Sequence, residues 1–93
     1  MDRDEAKSVL AAELRRYRSQ SYDALQHLLH TQDAYEVTAP SRTTYQIEIQ
    51  AFWDGSPGGN LRVMGAVDDG GARAFFPLTD DFIIAPNGAF VGE

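Results

Sequence analysis

Cysteine is absent from this chain of 93 residues, lysine occurs once, histidine twice, and no apolar run approaches the length of a membrane span. Without cysteine there is no disulfide framework, no thiolate metal site and no Cys nucleophile, so the apolar core alone must hold the fold. The single lysine, Lys7, stands near a helix start, where a solvated side chain is the ordinary reading, and Schiff-base chemistry has no better candidate. The acidic opening, Met1 to Glu5, lacks the apolar stretch of a secretory signal, and no run is long enough to span a bilayer. A soluble protein of the reducing cytoplasm, with no membrane partner, is the expectation.

Basic charge is also scarce, and unevenly so. Residues 1–42 hold six Lys and Arg against seven Asp and Glu, whereas residues 43–93 hold two against seven. The halves therefore carry net −1 and −5 of the total −6. Nucleic-acid binding needs a basic footprint to displace counterions from phosphate, so no nucleic-acid partner is expected.

What is present is an ordinary globular composition, 43% hydrophobic and 24% charged, with five Phe, four Tyr and one Trp. That is enough for one core in a single domain spanning residues 1–93. The texture changes near residue 32, where helix formers give way to β-branched and aromatic residues. Asp2 followed by Glu5 fits a capping box, and Ala6, Val9, Leu10, Leu14 and Tyr17 fall on one stripe of period 3.6. Residues 3–18 read as an amphipathic helix. Ser19, Gln20 and Ser21 interrupt it, and Ser21 can cap a second helix bearing Tyr22, Leu25, Leu28 and Leu29. The helical region, about 3–30, is thus kinked or split near Ser19–Ser21; whether it forms one helix or two stays open.

From Tyr35 the period becomes two. Tyr35 to Ala39 reads as a strand, closed by a Pro40-Ser41-Arg42 turn. In Thr43 to Trp53, Tyr45, Ile47, Ile49, Ala51 and Trp53 alternate with Gln46, Glu48, Gln50 and Phe52. After the turn formers Asp54 to Asn60, Leu61, Val63, Gly65 and Val67 alternate with Arg62, Met64, Ala66 and Asp68. Asp69-Gly70-Gly71 suggests a tight hairpin into a fourth strand at Arg73 to Leu78. In the remaining segment, 79–93, Thr79 with Asp80 and Asp81 has the form of a helix N-terminus, and Phe82–Ala85 and Ala89–Val91 flank Pro86-Asn87-Gly88 as in a small hairpin. The expected fold is α+β, an N-terminal helical layer on one face of a four-stranded antiparallel meander at about 34–78. This order resembles cystatin-type architecture in outline. The Gln-x-Val-x-Gly inhibitory loop of cystatins is absent, so the resemblance implies no protease inhibition.

Constellations that carry chemistry are sparse. His27 and His30, at i and i+3, could present two nitrogens to a metal, but no third ligand is near in sequence, and histidine in a last helical turn is favoured by the helix dipole. Asp54, Asp68, Asp69, Asp80 and Asp81 could gather oxygens for Ca²⁺ or Mg²⁺, although each sits beside turn formers or in a cap-like string. A metal-assisted hydrolase or metal-binding protein built on these Asp loops is the alternative function. Asp54-Gly55-Ser56-Pro57-Gly58 fails the Gly-x-Ser-x-Gly pattern at its first position and joins two strands, where a nucleophile elbow requires a strand and a helix. Gly58-Gly59 and Gly70-Gly71 lack the following Lys-Ser/Thr and helix of a phosphate cradle. No catalytic residue, no metal ligand set and no cofactor is assigned. Arg15, Arg16 and Arg18 read as a solvated helix face.

The sheet offers the better candidate. Tyr45, Ile47, Ile49, Trp53, Val63, Val67, Phe76 and Leu78 form the face under the helices. The opposite face then carries Gln46, Glu48, Gln50, Phe52, Arg62, Met64, Ala66, Arg73 and Phe75, with Phe52, Met64 and Phe75 as an apolar centre inside a polar frame. Three occupants suit such a face. The C-terminal segment could cover it through Phe82, Ile83, Ile84, Phe90 or Val91; a homodimer mate or protein partner could dock there; or a small ligand could bind. The expected function is a noncatalytic binding or protein-interaction domain that uses Phe52, Met64, Phe75, Glu48, Arg62 and Arg73.

Overall fold

The computed structural model describes residues 1–71 and 77–93. Helix α1 runs from Arg3 to Arg18, capped by the Asp2 carboxylate, which accepts the Glu5 backbone N–H at 3.0 Å. Asp4 and Glu5 in the first turn and Arg15, Arg16 and Arg18 in the last complement the helix dipole. Ser19 closes α1, and Ser21 Oγ caps a short helix α2, Tyr22–Leu25, which passes into a 3-10 turn at Gln26–Leu29. Ala6, Leu10, Leu14 and Tyr17 of the expected stripe are buried, as are Leu25 and Leu28, with Val9, Tyr22 and Leu29 half-buried at the margin.

Four strands follow, β1 Asp33–Thr38, β2 Thr44–Trp53, β3 Leu61–Asp68 and β4 Leu78–Ile84, forming an antiparallel meander in the order β1-β2-β3-β4. Arg42, with φ at 72°, closes the β1–β2 turn, where its N–H donates to the Ala39 carbonyl at 2.8 Å. The helical layer lies on one face only. Tyr45, Ile47, Ile49, Ala51, Leu61, Val63, Val67, Phe82 and Ile84 point into it and are buried. Gly65 belongs to the same row because α1 passes close overhead. A Cβ at Gly65 would stand 2.7 Å from Leu10 Cδ1 and 3.0 Å from Ile49 Cδ1, so the glycine sets how near helix and sheet can come.

The fourth strand differs from expectation. Thr79, Asp80 and Asp81 do not start a helix; they lie inside β4, with Leu78 paired to Val67 and Phe82 to Val63. Val67 pairs with Leu78, a register in which Asp69-Gly70-Gly71 is not the tight turn that joins β3 to β4. The expected strand Arg73–Leu78 falls, except for Pro77 and Leu78, outside the described residues, and so do Arg73, Phe75 and Phe76. Asp80 and Asp81 hid the strand because carboxylates are poor strand formers. Both are exposed, on opposite faces of an edge strand, where charge is tolerated. The small C-terminal hairpin is present: Ile84 bridges Phe90, Ala85 donates to the Ala89 carbonyl at 2.8 Å, and Gly88 donates to that of Ala85 at 2.8 Å.

A polar seam stitches the helices to the sheet. Each of the four tyrosines donates its hydroxyl across that boundary: Tyr17 to Asp33 at 2.6 Å, Tyr22 to the Gly59 carbonyl at 2.6 Å, Tyr35 to Glu13 at 2.8 Å and Tyr45 to Glu5 at 2.8 Å. Glu5 is thus turned toward Tyr45 and Ser41 instead of back to the Asp2 N–H, so the capping box is only half formed. Glu13 is the buried charge of the interface, held by Tyr35 and, at 2.6 Å, by Arg16. Burial first, then the bond to Glu13, pushes the Tyr35 hydroxyl up to about 12, and burial with the bond to Glu5 does the same for Tyr45. Tyr17 is raised further, chiefly by burial.

Candidate functional site on the open face of the sheet

The odd-numbered residues of β2 and β3 enter the core, so the even-numbered ones emerge on the other side of the sheet. The strand register places them in rows. Phe52, Arg62 and Ile83 lie directly across from one another. The next row holds Gln50, Met64 and Asp81, the next Ala34, Glu48, Ala66 and Thr79, the next Glu36, Gln46 and Asp68, and the last Thr38 and Thr44. Neighbours within a row are about 5 Å apart at Cβ, close enough for direct side-chain contact.

At the end of this face nearest the β2–β3 turn, Arg62 is fixed by two carboxylates. Its Nη1 donates to Asp81 Oδ2 at 2.6 Å and its Nη2 to Asp54 Oδ1 at 3.0 Å. These bonds, that to Asp81 foremost, hold the guanidinium pKa above its ordinary value. Two acceptors on one planar cation hold it in a single orientation and neutralise it. Apolar side chains flank this group: Phe52 is 44% exposed, the most exposed large hydrophobic side chain among the described residues, and Met64 and Ile83 are half-buried.

Of the residues singled out from the sequence, Phe52, Met64, Glu48 and Arg62 are brought together on this face. Arg73 and Phe75 lie outside the described residues. Missing from that set were Ile83 and Asp81, because residues 79–84 were not read as one strand; the alternation Leu78, Asp80, Phe82, Ile84 against Thr79, Asp81, Ile83 carried the signal. The C-terminal cover, one of the three occupants considered, is not formed by residues 85–93, which turn to the helix side through Phe90. Phe82 and Ile84 enter the helix-side core, and Phe90 packs edge-on against Phe82, with ring centroids 5.8 Å apart. The Arg18 guanidinium lies over the Phe90 ring at 4.0 Å and pairs with Glu93. Of the five C-terminal candidates, Ile83 alone is placed on the open face by strand register, as part of β4 itself.

The other candidates are separated or already engaged. Asp54 and Asp81 converge on Arg62, whereas Asp68 and Asp69 accept the N–H groups of Gly70 and Gly71 in the turn after β3. Asp80 accepts the Asp81 N–H at 2.8 Å. No group of three or more His, Asp or Glu side chains among the described residues is placed to hold a metal ion. His27 Nδ1 lies 2.7 Å from the Ala24 carbonyl within its own helical turn. Ser56 occupies the β2–β3 turn, where its carbonyl accepts the Gly59 N–H at 3.0 Å. A hollow of about 470 Å³ lies between Ser19–Ser21 and the C-terminal hairpin, walled by Arg18, Tyr22, Ile84 and Phe90. No helix among the described residues is long and apolar enough to cross a membrane. Comparison with protein-family models, curated proteins and solved structures returns no match to this chain.

Proposed function

We propose that the chain is a noncatalytic interaction domain whose contact surface is the sheet face opposite the helices. One observation carries the reading: Phe52 stands exposed near the end of the interior strand β2, beside Met64 and Ile83 and against a guanidinium already fixed by two carboxylates. An apolar centre within an ordered polar frame is the anatomy of a protein contact surface. A flat sheet face suits a macromolecular partner better than a small molecule, which favours an enclosing cavity. Phe52→Glu tests the reading. The wild-type chain should self-associate in sedimentation, or retain a partner in affinity capture, and the variant should lose that property with its amide spectrum otherwise preserved. Identical behaviour of the two proteins in both assays would refute it.

A further inference from the structure

The charge on the open face narrows the partner's chemistry. Glu36, Glu48, Asp54, Asp68 and Asp81 lie on or border it, against Arg62 as the one cation among the described residues. Arg62 is already consumed by Asp54 and Asp81. Glu36 and Glu48 form no ion pair among the described residues; Glu48 rises in the row next to Met64, and Glu36 one row farther along on β1. Among the described residues, the surface therefore offers an apolar seat at Phe52, Met64 and Ile83 with negative charge to one side that no ion pair offsets. Resting on the reading of this face as a contact surface, we propose that its partner is a polypeptide segment carrying lysine or arginine beside an apolar anchor.

The sign of the charge disfavours the other occupants. Two copies meeting face to face about a two-fold axis would bring two sets of these carboxylates into one interface, and like charges across an interface oppose association. Phosphate backbones and anionic lipid surfaces are repelled for the same reason. The geometry also sets a spacing. Glu48 lies four residues before Phe52 on β2, a separation of about 13 Å at the usual strand rise. An extended partner segment therefore needs its basic residue about four positions from its anchor.

The test is a titration of the ¹⁵N-labelled full chain with three synthetic peptides: a leucine and a lysine four positions apart in a serine background, which an extended chain presents on one face, the same peptide with glutamate for lysine, and the same with serine for leucine. Binding of the leucine–lysine peptide alone is expected, with amide shifts concentrated at Glu48, Phe52, Met64 and Ile83. Phe52→Glu and the pair Glu36→Gln with Glu48→Gln should each weaken binding about tenfold, a loss typical of removing an anchor or a complementary charge. Equal binding of the glutamate peptide, shifts centred on the acidic start of α1 at Asp2, Asp4 and Glu5, or no binding would overturn the proposal. Self-association of the wild-type chain that Phe52→Glu abolishes, with no response to the leucine–lysine peptide, would also overturn it while leaving the face as a contact surface. If neither peptide binding nor self-association nor capture responds to Phe52→Glu, both readings fall.

Discussion

The two faces of the sheet are built from alternate residues of the same strands, yet their environments share almost nothing. On β2, Tyr45, Ile47, Ile49 and Ala51 are at most 4% exposed beneath the helices, while Phe52, one residue on, is 44% exposed. The inner row is apolar except where a tyrosine hydroxyl meets a carboxylate. The outer row mixes glutamine, glutamate, arginine and methionine around one aromatic ring. Stability should therefore reside in one row and contact with other molecules in the other, and substitutions in the two rows should have separable effects.

The largest expected effect is on the inner row. Ile49 is fully buried, and Ile49→Ala should lower unfolding free energy by about 2–5 kcal/mol, measured by chemical denaturation. Gly65→Val comes next. Its Cβ would fall within 3.0 Å of Leu10 and Ile49 side chains, which must move, at a cost of about 1–3 kcal/mol. A neutral result at either position would mean that the helical layer does not sit on this row as described.

Much of this division was legible in the residues. Period two in Thr44–Trp53 and Leu61–Asp68 assigns every side chain of β2 and β3 to a face, because a strand cannot present neighbours to the same side. The stripe Ala6, Leu10, Leu14, Tyr17 identifies the buried side of α1 in the same way. Two things were not legible. Asp80 and Asp81 read as a helix start because a pair of carboxylates after Thr79 has that local meaning, and only strand pairing with Gly65 and Met64 overrides it. The tyrosine seam was hidden because each partnership, such as Tyr45 with Glu5, joins residues far apart in the chain. Tyr35 and Tyr45 count as apolar in any periodicity, and their partners Glu13 and Glu5 count as surface, so nothing local announces that their polar ends meet.

That seam makes the inner face pH-sensitive at the alkaline end. Tyr35 and Tyr45 are protonated donors in the fold, with pKa values pushed up to about 12, whereas an unfolded tyrosine ionises near pH 10. A raised acid favours the folded state fully below the unfolded value and loses that contribution as pH climbs toward the folded one. Stability should therefore show no tyrosine-linked loss below about pH 10 and decline between about 10 and 12. Thermal unfolding across that interval checks the direction. Tyr45→Phe should lower stability at neutral pH by about 0.5–1.5 kcal/mol and make the alkaline decline shallower.

The smallest effect on stability is expected where the largest effect on binding is proposed. Phe52→Glu removes an aromatic ring that is nearly half exposed, so little burial is lost. The new carboxylate would stand directly across from Arg62, which Asp54 and Asp81 already hold, so its attraction to the cation is offset by its repulsion from those two carboxylates. The net change should stay within about 0.5 kcal/mol, as for exposed sites without special roles. Denaturation of the variant beside Ile49→Ala gives the decisive contrast within one strand. If Phe52→Glu instead costs as much as Ile49→Ala, the ring is buried in solution, the outer face is already covered, and the separation of a stabilising face from a contact face fails at its central residue.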